Sequence, residues 1–256
     1  MAKSKGGLSP AENRRQQVRL QQQQQAAAAA RRRRLVQLGI VGGVTLLVIA
    51  IVAAAVLIGR RGESSAGPSV NTTVPVNGVS VPFTVDGSAV RVGPSDAKAK
   101  VDLWVDYSCS HCQEFEAENA TVLNELVAAG NVAVSYHNIQ IVTGYGGQTG
   151  SAAACVAGLQ PEKWLAFNSS LYANHNGQTN GWDASDFRDF AQQQGISGDA
   201  LGCIGDGRYT GWIKSNTDAS DEQGVTATPT MLLNGEKSDT LSGAALTAKV
   251  NQLAGR

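Results

Sequence analysis

Two cysteines three residues apart, with a histidine between them, lie in WVDYSCSHCQEFE, residues 104–116. Such a pair can clip a metal, staple a turn or exchange disulfides. A zinc site of short spacing wants a second ligand pair at similar spacing. The remaining cysteines, Cys155 and Cys203, are far apart in sequence, and His137 and His175 have no close partners. No metal is therefore expected. A staple across Cys109 and Cys112 would close a ring of four residues and remove little entropy from the unfolded chain. The reactive dithiol is the strongest of the three readings.

The flanking pattern supports it. Lys100–Tyr107 alternates Val101, Leu103 and Val105 against Asp102, Trp104 and Asp106, as a strand does. From Cys112 onward Phe115, Asn119, Val122, Leu123, Leu126 and Val127 share one helical face, and Gly130 can end the helix. Cys109 thus falls at a helix start, where unpaired backbone N–H groups and the helix dipole favour thiolate. A protonated His111 would add positive charge. Cys112, one turn further in, should be shielded and protonated, placed to resolve a mixed disulfide. Stabilising the Cys109 thiolate favours the reduced form and makes the disulfide the stronger oxidant.

Around this pair the chain reads as β-α-β, then a long helical section, then β-β-α. Ala89–Val92 is a short strand, and the β-branched run 131–142 is the strand after the helix. Pro161 opens a helix carrying Trp164, Phe167 and Leu171; Asp183 caps another with Phe187, Phe190 and Ala191 inside. Tyr209, Trp212 and Ile213 mark a third. Strand character returns at TPTMLLNG, with a hairpin turn at Asn234-Gly235, before a closing helix with Leu246, Val250 and Leu253.

Overall charge is balanced, but the balance conceals a split. Residues 1–34 carry nine Lys/Arg against Glu12 alone, while from Gly62 onward there are 20 acids and 10 bases. An acidic domain argues against nucleic acid as partner. Between the two lie 25 uncharged residues, 35–59. As a helix they would run about 37 Å, enough to cross a ~30 Å hydrocarbon core with tilt. Arg31–Arg34 against Arg60-Arg61 place the N-terminus in the cytoplasm and the C-terminal domain outside. A cleaved signal peptide is the alternative, but its apolar region should be roughly 7–15 residues. The expected organisation is a disordered basic tail (1–34), one transmembrane helix (35–59), an extracytoplasmic Gly/Ser/Pro/Asn/Thr linker (60–82) and a folded domain (83–256) with a helical insertion (143–227). Outside the cytoplasm two leftover cysteines usually pair. A Cys155–Cys203 bridge would close 48 residues; two buried thiols are the alternative.

WVDYSCSHCQEF, the β-α-β context, the helical insertion and TATPTMLLNG together resemble the DsbA-like branch of the thioredoxin superfamily, in particular its membrane-tethered actinobacterial members. The resemblance spans about 83–254. It implies an α/β thioredoxin fold with an inserted helical domain, preceded by one transmembrane helix. It also implies a protein thiol:disulfide oxidoreductase with Cys109, Cys112 and His111 catalytic. Thr228, Pro229 and Ser110 would bind substrate, with Thr228-Pro229 in cis opposite the cysteines. Alone, Pro229 could as well open an edge strand. A second disulfide like Cys155–Cys203 also occurs in such relatives. The resemblance implies no cofactor beyond the Cys109–Cys112 disulfide. The implied partners are reduced exported proteins and a quinone-linked membrane thiol oxidase, for a monomer at the cell membrane. A reductase or isomerase of the same fold, or a non-catalytic substrate-binding scaffold, are the alternatives. Two positions depart from family habit: Ser110 stands where many members have proline, and Leu103 where a buried acid often assists proton transfer.

Overall fold

A computed structural model of the chain describes residues 47–51 and 65–256. Residues 47–51 are helical. The rest of the predicted span 35–59, the basic tail and the first part of the linker lie outside the described residues. Among the described residues no helix is long and apolar enough to cross a membrane.

Seven strands form one sheet: β1 (Val70–Val76), β2 (Val79–Asp86), β3 (Ala89–Val92), β4 (Ala99–Val105), β5 (Val132–Asn138), β6 (Thr230–Leu233) and β7 (Glu236–Ser238). Their order is β1-β2-β3-β5-β4-β6-β7. Only β4 and β5 run parallel. They are joined by helix α1 (Ser110–Ala128), the crossover that a parallel pair requires. Val101, Leu103 and Val105 of β4 enter the main core. Trp104, on the other face, is also buried, in a smaller cluster with Ile139 and Val225. The expected polar face of this strand is therefore half apolar, because the sheet is covered on both sides.

The predicted linker needs correcting. Residues 70–82 are not a tether; they are β1, its turn and the first half of β2, and the folded domain begins well before Phe83. Val74, Val76, Val81, Phe83 and Val85 alternate into the core. The Asn77-Gly78 turn between the strands has positive φ at both residues (49° and 81°), which Asn and Gly tolerate best. The run 131–142 is also shorter as a strand than its β-branched residues suggest. Pairing stops at Asn138, and Ile141 and Val142 are exposed on a loop.

The helical section comprises α2 (Gly144–Leu159), α3 (Trp164–Asn174), α4 (Ala184–Gln193), α5 (Asp199–Gly205) and α6 (Thr210–Glu222), and α7 (Gly243–Ala254) closes the chain. Asp183 caps α4 in a full capping box. Helix α2 has no apolar stripe to betray it. Its Gly/Ala/Ser-rich sequence is buried along most of its length, so its neighbours pack close on every side. Trp164 ties insertion to sheet, meeting Phe83 and Tyr136 edge-on with centroids 5.7 and 5.2 Å away. Cys155 of α2 and Cys203 of α5 are joined in a disulfide across a separation of 48 residues.

Candidate active site

Cys109 is the N-cap of α1, in extended conformation (φ −86°, ψ 121°) at the point where β4 hands over to the helix. Its side chain makes no capping hydrogen bond, but the backbone N–H groups of His111 and Cys112 in the first turn favour its thiolate. Cys109 and Cys112 are both buried, at 7% and 1% exposure. The Cys109 Sγ lies 3.2 Å from the carbonyl of Thr228, whose peptide bond to Pro229 is cis. A strand, a helix start and a proline loop 119 residues away thus converge on one sulfur.

The two thiols are driven apart in acidity. Cys109 is lowered to about 5, chiefly by the hydrogen bond from the Cys112 side chain. Burial opposes this, while Thr228 and the backbone N–H groups of Cys112 and His111 add to it. Cys112 is pushed far up, by that same hydrogen bond seen from the donor's side and by its own burial. The pair shares one proton, and it stays on the inner sulfur. The ordering expected from the sequence holds, but its leading cause is the neighbouring thiol. His111 contributes through its backbone N–H. Its imidazole, expected to lend charge to the sulfur, is 77% exposed and turned toward Glu114 at 3.3 Å.

Asp102, beside Leu103 on β4, and Asp106, just past the strand's end, are both committed elsewhere. The carboxylate of Asp106 is wholly buried. One oxygen accepts from the N–H and hydroxyl of Ser108 (2.7 and 2.6 Å), the other from the N–H groups of Ile141 and Val142 (2.7 and 2.9 Å). It clasps the active-site turn to the loop after β5. Gly146 makes room for the clasp, since a Cβ there would collide with the carboxylate. Asp102 lies 3.6 Å from His137, whose ring stacks on Trp104. For Asp102 burial acts to raise the pKa, but the hydrogen bonds from His137 and Ser135 outweigh it and hold the carboxyl below its ordinary value.

Glu116, which the sequence reading passed over, is buried one turn beyond Cys112. It accepts from Asn168 (3.0 Å) and Ser169 (2.6 Å) of α3, and burial, the larger effect, raises it. Asn168 also accepts from the Tyr107 hydroxyl at 2.6 Å, so this network bolts the active-site helix to the insertion. The i, i+4 spacing of Cys112 and Glu116 was the available signal. Among the described residues no three His, Cys, Asp or Glu side chains could hold a metal ion.

A dithiol at a strand-to-helix junction, facing a cis-proline on a sheet interrupted by a helical insertion, defines a thioredoxin-fold exchange site. A family model described as Thioredoxin matches residues 85–252, and the chain belongs to that family, in its DsbA-like branch. Oxidised DsbA from Mycobacterium tuberculosis is 27% identical, with a TM-score of 0.58 over 66% of this chain and 93% of that one. Reduced DsbG from the same organism is 27% identical, with a TM-score of 0.59 over 66% of this chain and 89% of that one. MdbA from Corynebacterium diphtheriae, a thiol-disulfide oxidoreductase, is 22% identical with a TM-score of 0.58, over 68% and 94%, and shares the fold. No curated protein sequence matches the chain.

Proposed function

We propose that the protein is a dithiol oxidase that introduces disulfides into exported proteins, anchored by residues 35–59 with its folded domain outside the cytoplasm. The observation that carries this is the divergence of the two thiols, with Cys109 ionised at neutral pH beside the Thr228-Pro229 loop. A substrate thiolate attacks Cys109 Sγ of the oxidised pair, and Cys112 leaves and takes up a proton. The substrate's second thiolate then attacks the substrate sulfur of the mixed disulfide, and Cys109 departs as a stable thiolate. The substrate has lost two electrons, and the protein has gained them as a Cys112 thiol and a Cys109 thiolate, the other proton of the substrate dithiol passing to solvent. The Thr228-Pro229 backbone is suited to hold an extended chain beside the sulfur. Return to the disulfide needs an external two-electron acceptor, which we assign to a quinone-linked membrane thiol oxidase.

The equal likeness to a DsbG keeps a second reading, disulfide isomerase or reductase. The reduction potential of the full-length chain, equilibrated against glutathione, separates oxidase from reductase. A value near −120 mV is expected for the oxidase, and one near −270 mV would overturn it in favour of the reductase.

A further inference from the structure

A groove of about 330 Å³ opens beside the reactive sulfur, between the start of α1 and the loops that hold Pro229 and Ser242. Its wall on α1 carries two carboxylates, Glu114 and Glu118, and Phe115 and Pro229 also line it. Thr240 and Ser242 supply hydroxyls, and no lysine or arginine lines it. Glu118 has no ion-pair partner among the described residues, whereas Glu114 has only the exposed His111. At the end nearest Cys109 the groove is bounded by Thr228, 9% exposed, whose side chain is already engaged with the cysteine sulfurs.

The spacing makes the groove selective for sequence as well as for shape. Along the helix axis Glu114 and Glu118 stand about 7 and 13 Å from Cys109, at 1.5 Å per residue. An extended chain lying in the groove advances about 3.3 Å per residue. Its second and fourth residues from the reacting cysteine therefore come opposite the two carboxylates. In an extended chain those two side chains point the same way, just as residues i and i+4 share a helix face.

We propose that this groove selects extended polypeptide segments with lysine or arginine at the second and fourth positions from the reacting cysteine, Glu114 and Glu118 being the specificity-determining residues. The proposal rests on the oxidase reading and names the substrate class of that same site. The folded region's excess of acids, 20 against 10 bases from Gly62 onward, steers such segments toward it.

The test uses the oxidised full-length chain and synthetic single-cysteine peptides. Their lysines occupy either the second and fourth or the third and fifth positions on both sides of the cysteine, so net charge is unchanged. A third peptide carries glutamates at the second and fourth. The readout is the rate at which each peptide thiolate opens the Cys109–Cys112 disulfide to a peptide–Cys109 mixed disulfide, by acid quench and mass spectrometry. Two partly screened surface ion pairs should make the even-lysine peptide about fivefold faster than the odd one at low salt, with the glutamate peptide slower still. The advantage should fall toward unity in the E114Q/E118Q double variant and in high salt. Equal rates for even and odd lysines, or a preference that survives the double substitution, would overturn the selectivity and leave the oxidase reading standing. Failure of every peptide to open the disulfide would overturn both.

Discussion

At the scale of single residues, the chemistry rests on one proton shared unequally by two sulfurs. Because the Cys112 side chain is the largest contributor to the Cys109 thiolate, removing it should be felt directly. Iodoacetamide alkylation of the reduced wild-type protein should titrate Cys109 with a midpoint near 5, with Cys112 inert through neutral pH. In C112A the midpoint should rise by roughly one unit or more, and C112S, which keeps a donor, should shift less. A wild-type midpoint near the ordinary thiol value would remove the basis for an oxidising disulfide. The Cys-x-x-Cys pair could be found by eye because its chemistry is local: helix start, sulfur and spacing are all written within a dozen residues. Asp106 and Glu116 could not. Their partners Ile141, Val142, Asn168 and Ser169 lie 35 to 53 residues away, and only the fold brings them near.

Among the elements, the decisive joint is the end of β4, where Asp106 holds both its own turn and the loop leading to α2. Replacing Asp106 with Asn puts an N–H donor where only donors now arrive. The buried mismatch should cost about 3 kcal/mol in urea unfolding. G146A should cost a similar amount by pushing a methyl into the same carboxylate, and the two losses should fail to add because they break one clasp. An additive pair would mean that the two positions act separately. The Asn77-Gly78 hairpin shows the reverse case. Its dipeptide and its alternating valines were legible, yet the Pro/Asn/Thr content of the stretch favoured a tether. Burial against α1 and the neighbouring strands, not composition, makes it a strand pair.

For the molecule as a whole, the Cys155–Cys203 bridge and the redox state of the active site set stability. The bridge closes 48 residues within the insertion, and the chain-entropy model assigns it about 4 kcal/mol. C155A/C203A should lower the unfolding free energy by up to that amount, measured with the active-site pair held oxidised. An unchanged midpoint would mean that packing alone holds α2 and α5 together. The reduced form should also be more stable than the oxidised form at neutral pH. The Cys109 thiol is more acidic folded than unfolded, so its contribution is full above the unfolded value near 9 and vanishes as pH falls through about 5. Thermal melting of both forms from pH 4 to 9 should show the gap widening upward, reaching about 2 kcal/mol at pH 7 after allowance for solvent screening. A gap that narrows with rising pH would contradict the thiolate assignment.

By itself the sequence determined the reactive pair, the β-α-β frame around it and the order of helical insertion and closing strands. These follow from short-range rules: alternation, helical periodicity, caps, turn dipeptides and the chemistry of a thiol at a helix end. Tertiary structure decided how far the sheet extends toward the N-terminus, which carboxylates are buried and by whom they are held, and where the histidine between the cysteines points. It also decided that the inner thiol, rather than a charged neighbour, does most to keep the outer sulfur ionised. Each of these depends on groups distant in the chain meeting in a space closed to water, where one hydrogen bond outweighs any local preference.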